Sequence, residues 1–513
     1  MIHNTRFTRA TRVLVALLVI GICGAVSAHK GIVEDRAGLD HEPTKERPFP
    51  PSYISTDSGR TLRPEDFESP EVCAGCHPVQ YEGWRGSMHS LSFVDPVFRA
   101  EWAKAEKAMD GKMLYYCGGC HAPIGTLTQS LSFDEQTGEF SASNEISKRG
   151  VSCDVCHQMT DTNFLKTHTM EHGNASFNIS PGRTKYGPLK DAASPYHDTQ
   201  YSELHTRADL CANCHNIFHP VNGMPVERTY DEWKSSVYAQ HDIVCQDCHM
   251  NPVEVAVRIA SELKRPEELE DVVEQLKGKA GTVAKGERKV VHNHEFVGGN
   301  AVITAVLEPD NKTARRHAAI AEQRLSNAAE LGLDLVRRDN GLLELSVDVR
   351  NVAAGHNLPT SLTEVRQMWL EVVVEDGSGN VLLSSGQLDE HGALDEGAVK
   401  FHKVAVTEEG VPTHNPWEMN HFVEDTTIPP KGHKLSRFTF PMPRSEDLKV
   451  DVKLNYRSAP QHFIDHLLGE GKVKLPVVRM EHKVRTYRVS ATALELVREV
   501  ADPPEADREV AAN

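Results

Sequence analysis

Five copies of the motif Cys-x-x-Cys-His are the feature of this 513-residue chain that could do chemistry. Positions i, i+3 and i+4 lie on one face of a helical turn, so two thiols and one imidazole from a single motif can reach one planar ring system. This spacing is typical of covalent c-type haem attachment, in which the histidine binds the iron. The five motifs are Cys73-Cys76-His77, Cys117-Cys120-His121, Cys153-Cys156-His157, Cys211-Cys214-His215 and Cys245-Cys248-His249.

Other uses of a Cys-x-x-Cys pair fit the pattern less well. A zinc site, a redox dithiol or a disulfide would not require a histidine after every second cysteine. The chain has 11 cysteines, all in the motifs except Cys23, which lies in a segment predicted to be removed. The sequence therefore predicts five covalently attached c-type haems, each holding one iron.

The second axial ligand decides what each iron can do. A second histidine closes the iron and suits electron transfer, whereas an open position permits substrate chemistry. The chain has 27 histidines, far more than its motifs use. The predicted distal ligands are His89, His197, His205, His294 and His356. Of His197 and His205, at least one is expected to bind an iron. The reserve candidates are Met88, His168, His172, His219, His241 and His292.

The first 28 residues have the layout of a secretory signal peptide. Arg6, Arg9 and Arg12 precede an apolar run at residues 13–26, which ends in small residues near Ala28. The run is short for a membrane span, and no later stretch looks transmembrane. We therefore expect a periplasmic or cell-surface protein. A lipid anchor on Cys23 and an uncleaved N-terminal anchor are the alternatives.

The chain carries a formal net charge of −17. A strongly acidic protein is a poor nucleic-acid binder, because the phosphate backbone repels it. It suits redox partner proteins that are basic or membrane-bound, with an association that depends on salt. A surface that only keeps the protein soluble would give the same charge, and an oligomer is also compatible with it.

The elements that must position the motifs are short. Five haems packed between Cys73 and His249 would supply much of the apolar core, so we expect short helices and loops around them. Pro266 favours a helix start ahead of Leu269, Val272 and Leu276. A second helical stretch is predicted at residues 313–331.

After residue 340 the apolar period changes to two. Alternation at residues 343–349, 370–374, 438–440 and 450–456, with a turn at 376–380, predicts antiparallel strands. The predicted fold class is α+β, with a helical and loop-rich pentahaem domain followed by an antiparallel β-sandwich. The predicted regions are a signal peptide (1–28), an extended lead-in (29–64), the pentahaem domain (65–300), a helical connector (301–340), the β-sandwich (341–497) and a disordered tail (498–513).

Three segments resemble the cytochrome c-554 family of multihaem cytochromes. They are E-V-C-A-G-C-H-P-V-Q-Y-E-G-W-R-G-S-M-H-S (71–90), G-V-S-C-D-V-C-H (150–157), and T-Y-D-E-W-K-S-S (229–236) leading to C-Q-D-C-H-M (245–250). The resemblance implies closely packed haems, electron transfer, a distal ligand at His89 and one five-coordinate haem. The founding members are tetrahaem and end earlier. In addition, G-H-N-L-P-T around His356 resembles β domains of larger multihaem cytochromes, where the histidine looks like a ligand donated back to the haem domain.

Three hypotheses about function remain. The first is an electron carrier whose irons are mostly bis-histidine. The second is a haem enzyme with one open iron that reduces nitrite or hydroxylamine, or oxidises a small nitrogen or sulfur species. Tyr115 and Tyr116 are the candidate residues for the open face of that iron. Pentahaem nitrite reductases have the same haem count, but their usual Cys-x-x-Cys-Lys motif is missing from this sequence. The third is a structural subunit of a haem conduit or filament.

Overall fold

The structure, a computed structural model, describes residues 42–490 and 492–501. The predicted signal peptide (1–28) lies outside the described residues, as does the end of the chain after residue 501. Within the described part, no helix combines the length and the apolar character needed to cross a membrane.

Most helices before residue 300 are one to two turns long. Proline at the first helical position starts several of them, where its missing N–H costs no hydrogen bond. The helices are α1 (Pro70–Cys73), α2 (Pro78–Trp84), α3 (Met88–Leu91), α4 (Pro96–Ala108), α5 (Leu114–His121), α6 (Pro123–Leu127), α7 (Cys153–His157), α8 (Asp209–Ala212), α9 (Thr229–Lys234), α10 (Val237–Gln240), α11 (Cys245–His249), α12 (Val253–Glu262), α13 (Glu270–Leu276), α14 (Thr304–Leu307), α15 (Lys312–Ser326) and α16 (Gln461–Leu468).

Short 3₁₀ turns and strand pairs fill the rest of this region. The 3₁₀ turns are Pro64–Asp66, Ile146–Lys148, Phe164–Lys166, Glu203–Thr206, Pro266–Glu268 and Gly299–Ile303, with a seventh, Pro416–Glu418, later in the chain. The strands are β1 (Ser55–Thr56), β2 (Leu131–Asp134), β3 (Glu139–Ala142), β4 (Met159–Thr162), β5 (Phe177–Ile179), β6 (Thr184–Gly187), β7 (Asp198–Tyr201), β8 (Ile217–Phe218) and β9 (Pro225–Glu227). The expectation of short elements around the motifs is confirmed.

Long antiparallel strands dominate from residue 329 onward, which confirms the α+β class. They are β10 (Ala329–Arg337), β11 (Leu342–Asn351), β12 (Gln367–Asp376), β13 (Val381–Ser385), β14 (Lys400–Phe401), β15 (Lys403–Val406), β16 (His421–Asp425), β17 (His433–Pro441), β18 (Asp447–Arg457), β19 (Val478–Val489) and β20 (Leu494–Ala501). One sheet has the order β10-β11-β17, and the larger sheet has the order β13-β12-β18-β19-β20, with β14 also pairing with β12.

The two large sheets share one apolar cluster. Alternate residues of β11, such as Val347, and of β12, such as Val372, are fully buried in it. Burial of alternate residues is what the period-two pattern requires, because side chains on a strand point to opposite faces. A shared apolar cluster does not by itself establish that the two sheets pack face to face, so the β-sandwich stays a prediction.

Three predicted boundaries need correction. In the expected lead-in, Phe49 and Ile54 are fully buried and pack in one apolar cluster with Phe177, since β1 pairs with β5. The helix expected to reach Leu331 ends at Ser326, and β10 follows it because it pairs with β11. The expected tail begins inside β20, which pairs with β19 as far as Ala501.

Candidate haem sites

One continuous cavity of about 1690 Å³ unites the five motifs. All ten motif cysteines and all five motif histidines line it, and most of the rest of its wall is apolar. We number the sites 1 to 5 in chain order, so that His77, His121, His157, His215 and His249 are their motif histidines. An apolar cavity lined by paired thiols and imidazoles fits haem, which is an apolar ring that needs both.

The Nδ1 atoms of four motif histidines face an oxygen acceptor. His77 Nδ1 lies 2.7 Å from the carbonyl oxygen of Ala280, and His157 Nδ1 lies 2.7 Å from that of Tyr186. His249 Nδ1 lies 2.8 Å from the Val297 carbonyl oxygen. Such bonds fix the tautomer and orient the ring, which leaves Nε2 for a metal.

Site 4 differs because its acceptor is a carboxylate. His215 Nδ1 lies 3.7 Å from Glu227 Oε1, and Glu227 is buried. Burial alone would lower the pKa of His215, but Glu227 outweighs it and raises that pKa to about 9. An anionic partner makes an imidazole a stronger electron donor than a carbonyl partner does.

Four motif histidines face a second imidazole at a nearly constant distance. Two imidazoles bound on opposite sides of one metal ion, at about 2.0 Å each, have ring centres roughly 6 Å apart. The ring-centre distances are 6.2 to 6.4 Å for the pairs His77–His197, His215–His89, His157–His294 and His249–His356. The structure thus brings His89, His197, His294 and His356 to four different motifs.

His205 also lies beside a motif histidine, but its geometry differs. Its ring centre is 5.6 Å from that of His157, and its Nε2 is 3.0 Å from the carbonyl oxygen of Cys156. A nitrogen held by that carbonyl is not available to a metal. His294, at 6.2 Å from His157, is the better placed of the two imidazoles at site 3.

Site 2 has neither an oxygen acceptor on the Nδ1 of its motif histidine nor a second imidazole that faces this histidine, among the described residues. Within the described chain, the ring that contacts His121 is Phe98, stacked at 3.5 Å between ring centres and 6° between planes. His121 Nδ1 is buried without a hydrogen-bond partner among the described residues. Tyr116, which the sequence offered as a residue for an open iron, lines the cavity and donates its hydroxyl to the Phe218 carbonyl oxygen.

Burial favours the neutral form of four imidazoles at these sites. It lowers the pKa of His89, His249 and His294 to about 3, and the pKa of His121 to about 4. A metal ligand must be the neutral imidazole, so these rings are ready to bind iron at any pH near neutrality.

Thiol contacts connect the sites to one another. The Cys73 side chain of site 1 lies beside that of Cys153 of site 3, and the Cys120 side chain of site 2 lies beside that of Cys214 of site 4. Cys211 of site 4 in turn contacts Cys245 of site 5. Cys211 is also within electrostatic range of Cys156 of site 3. Site 4 therefore adjoins sites 2, 3 and 5, and site 1 adjoins site 3.

The segment at residues 293–297 serves three sites at once. It presents His294 to site 3 and the Val297 carbonyl to site 5. Between them, Phe296 packs 4.8 Å from His89 of site 4, and its φ of 51° is a left-handed conformation that a bulky residue rarely adopts. A strained conformation of this kind persists only where the surroundings fix the backbone.

Buried ion pairs brace the motifs of sites 3 and 5. Asp154, between the cysteines of site 3, accepts from Lys185 at 2.7 Å. Asp247, the residue just before the second cysteine of site 5, pairs with Arg265 at 3.1 Å. Arg324 donates to the Cys248 carbonyl oxygen at 2.9 Å and so links α15 to site 5. None of these residues stood out in the sequence, because the partners are far apart along the chain.

The reserve candidates have other contacts. His168 hydrogen-bonds the Tyr53 hydroxyl at 2.9 Å, and His219 lies 2.9 Å from the Trp417 carbonyl oxygen. His172 lies 3.8 Å from Asp209 and is nearly buried. Among the reserve candidates, the side chains that line the cavity are Met88 and His292.

Comparisons with known proteins match this picture. Residues 72–158 match the family described as cytochrome c554 and c-prime. A penta-heme cytochrome c552 from Thermochromatium tepidum has a similar fold, with a TM-score of 0.53 and 17% identity over 83% of this chain and 100% of that chain. MtrC from Shewanella baltica OS185 aligns over 55% of this chain and 42% of that chain, with a TM-score of 0.19 and 15% identity. No curated protein sequence matches the chain.

The predicted resemblance is therefore confirmed at the level of sequence family and fold. The family match spans the first three motifs, and the similar fold spans most of the chain. The strands after residue 329 are compatible with an added C-terminal β region. Residues 72–158 of the chain are therefore similar to the cytochrome c554 and c-prime family, and the fold of the chain is similar to that of a penta-heme cytochrome c552.

Proposed function

We propose that this chain is an exported electron carrier in which five covalently attached haems form a branched path. The observation that carries the proposal is the single cavity that all five motifs line, with their thiols in contact from site to site. Haem supplies a one-electron couple, and electron transfer needs closely spaced centres without any acid–base groups.

The chain's own residues set the ligands of this path. In the proposal, His197, His294, His89 and His356 are the distal ligands of sites 1, 3, 4 and 5. His121 of site 2 faces no second imidazole in the described chain, so this iron is proposed to be five-coordinate. Carbonyl oxygens on Nδ1 fix the orientation of the motif imidazoles His77, His157 and His249. Rigid ligands lower the reorganisation needed when an iron changes charge.

The electron paramagnetic resonance spectrum of the purified, oxidised protein tests this assignment. We expect four low-spin ferric signals and one high-spin signal. Mass spectrometry on the same sample should show five attached haems. Fewer haems, or a majority of high-spin irons, would contradict the bis-histidine path.

A second candidate function attaches to site 2. Phe98 on His121 marks this site as the one built without a paired imidazole, so a small molecule such as nitrite or hydroxylamine could bind its iron. Adding nitrite to the oxidised protein separates the two functions. A high-spin signal that nitrite converts, followed by turnover with a reductant, would favour the enzyme; an unchanged signal favours the carrier.

A further inference from the structure

A loop rich in exposed lysines covers site 1. Residues 277–289, which we call the lysine loop, contain a single carboxylate, Glu287, and five cations. Four of the five cations are exposed, and only Arg288 is half-buried. The cations are Lys277, Lys279, Lys285, Arg288 and Lys289. This local positive charge contrasts with the net charge of −17 on the whole chain.

The lysine loop forms part of the wall of site 1. The Ala280 carbonyl oxygen lies 2.7 Å from His77 Nδ1, and the Thr282 amide donates to the Cys76 carbonyl oxygen at 2.8 Å. Gly281 packs so closely that a Cβ there would be 2.8 Å from the His77 ring. The position of the lysines is therefore fixed relative to the iron that His77 would bind.

A second basic segment faces the loop. Arg288 joins Asp191 at 2.8 Å, which ties the lysine loop to the segment that carries Lys185 and Lys190. That same segment continues to His197, the imidazole opposite His77. Cations therefore lie on both walls of site 1.

The cations divide into an inward and an outward set. Lys185, Lys285 and Arg288 line the cavity, and two of them already pair with carboxylates of the chain, Lys185 with Asp154 and Arg288 with Asp191. Lys279 and Lys289 are exposed and do not line it. No carboxylate among the described residues lies within ion-pair distance of either of these two lysines. Their positive charges are therefore available to a binding partner.

We infer that this face is the docking surface of an acidic electron-transfer protein that exchanges electrons with site 1. The inference rests on the proposed carrier function. The reduced partner gives one electron to the ferric iron of site 1, and no bond or proton moves. Attraction between opposite charges raises the rate of encounter by about 10-fold to 1000-fold at low salt. A lipid surface or a nucleic acid could also bind these positive charges, but neither would exchange electrons with the iron site beside them.

Stopped-flow reduction by a plant-type [2Fe–2S] ferredoxin, an acidic one-electron donor, tests the inference. The variant is Lys279→Glu/Lys289→Glu, and the matched control is Lys472→Glu/Lys474→Glu, which changes the charge equally at exposed lysines far along the chain. We expect a second-order rate for the first variant about ten times slower at low ionic strength, with most of the salt dependence lost. The control should stay within about twofold of the wild type.

Two further measurements make each outcome decisive. Dithionite should reduce all haems of every variant; failure there would contradict the carrier function and not the docking surface. With normal dithionite reduction, equal ferredoxin rates for the variant and the wild type would overturn the inference. Loss of binding to phosphatidylserine vesicles or to duplex DNA, without any change in the ferredoxin rate, would overturn it in favour of those surfaces.

Discussion

Glu227 sets site 4 apart from the other sites at the scale of single residues. The remaining motif imidazoles with an Nδ1 acceptor face a neutral carbonyl, whereas His215 faces a buried carboxylate. A negative charge behind the imidazole stabilises the ferric form of the iron and lowers its reduction potential. Site 4 also adjoins three other sites, so its potential would control how electrons divide along the path.

Replacing Glu227 by glutamine should raise the potential of one haem. We expect an upward shift on the order of 60 mV, which corresponds to a tenfold change for a one-electron couple. Spectroelectrochemical titration measures it. Glu371→Gln is the control, since Glu371 pairs with Lys453 in the larger sheet and does not line the cavity. A titration curve for E227Q that overlays the wild-type curve would contradict the role of this carboxylate.

Glu364 should make stability depend on pH. Both of its carboxylate oxygens are buried without hydrogen-bond partners among the described residues, and burial raises its pKa to about 8. Arg366 and Lys403 lower this pKa, but burial, with a smaller contribution from Glu227 in the same direction, outweighs them. The folded state therefore holds a proton that the unfolded state releases near pH 4.3, so stability falls as the pH rises from about 4.3 to 8.

Glu364→Gln removes this dependence because the amide does not titrate. We expect the melting temperature of the variant to exceed that of the wild type at pH 8 and to change less between pH 5 and pH 8. Scanning calorimetry at the two pH values measures this difference. Glu409→Gln, at an exposed turn, should leave the wild-type profile as it is. A parallel decline in E364Q and the wild type would show that another group causes it.

At the scale of elements, the loop that carries His356 joins the β region to site 5. Its residues bind Glu232 of α9, with the Asn357 amide donating at 3.2 Å and the Thr360 hydroxyl at 2.5 Å. Lys403 of β15 lies 3.8 Å from the same carboxylate. The loop is therefore anchored to the haem region independently of any iron.

Replacing His356 by alanine should open one iron and leave the fold intact. We expect a new high-spin ferric signal worth about one iron per chain, because the loop keeps its bonds to Glu232. Electron paramagnetic resonance measures the signal, and circular dichroism checks the β structure. His391→Ala, at an exposed histidine of the β region, is the matched control. An unchanged low-spin spectrum for H356A would assign another ligand to site 5.

Strands and motifs were predictable to different degrees, for physical reasons. Alternation alone located β11, β12, β17 and β18, because one face of each is buried. β19 carries too many charged residues to alternate clearly, and its pairing with β18 is what makes it a strand. The haem motifs are local in sequence, whereas the Nδ1 acceptors on Ala280, Tyr186 and Val297 are backbone atoms from distant loops. No residue type marks such atoms.

At the scale of the whole molecule, the two regions differ in what forms their cores. The strands after residue 329 share one continuous apolar cluster with α15 and the segment at 297–303. The region before residue 297 has several small, separate clusters arranged around the cavity. Since the wall of that cavity is mostly apolar, an empty cavity would expose it to water. We therefore expect the first region to need bound haem in order to fold, and the second region to fold without it.

Protein produced without haem attachment should therefore be folded only in its second half. Limited trypsin digestion should remove the residues before about 297 and leave a protected fragment that ends near residue 501, because buried β strands resist cleavage. Mass spectrometry identifies the fragment. The haem-loaded protein, digested in parallel, should resist in both regions, since the haems would cover the apolar wall of the cavity. Digestion of the haem-free chain throughout would mean that the β region depends on site 5, through His356 and Arg324, for its own stability.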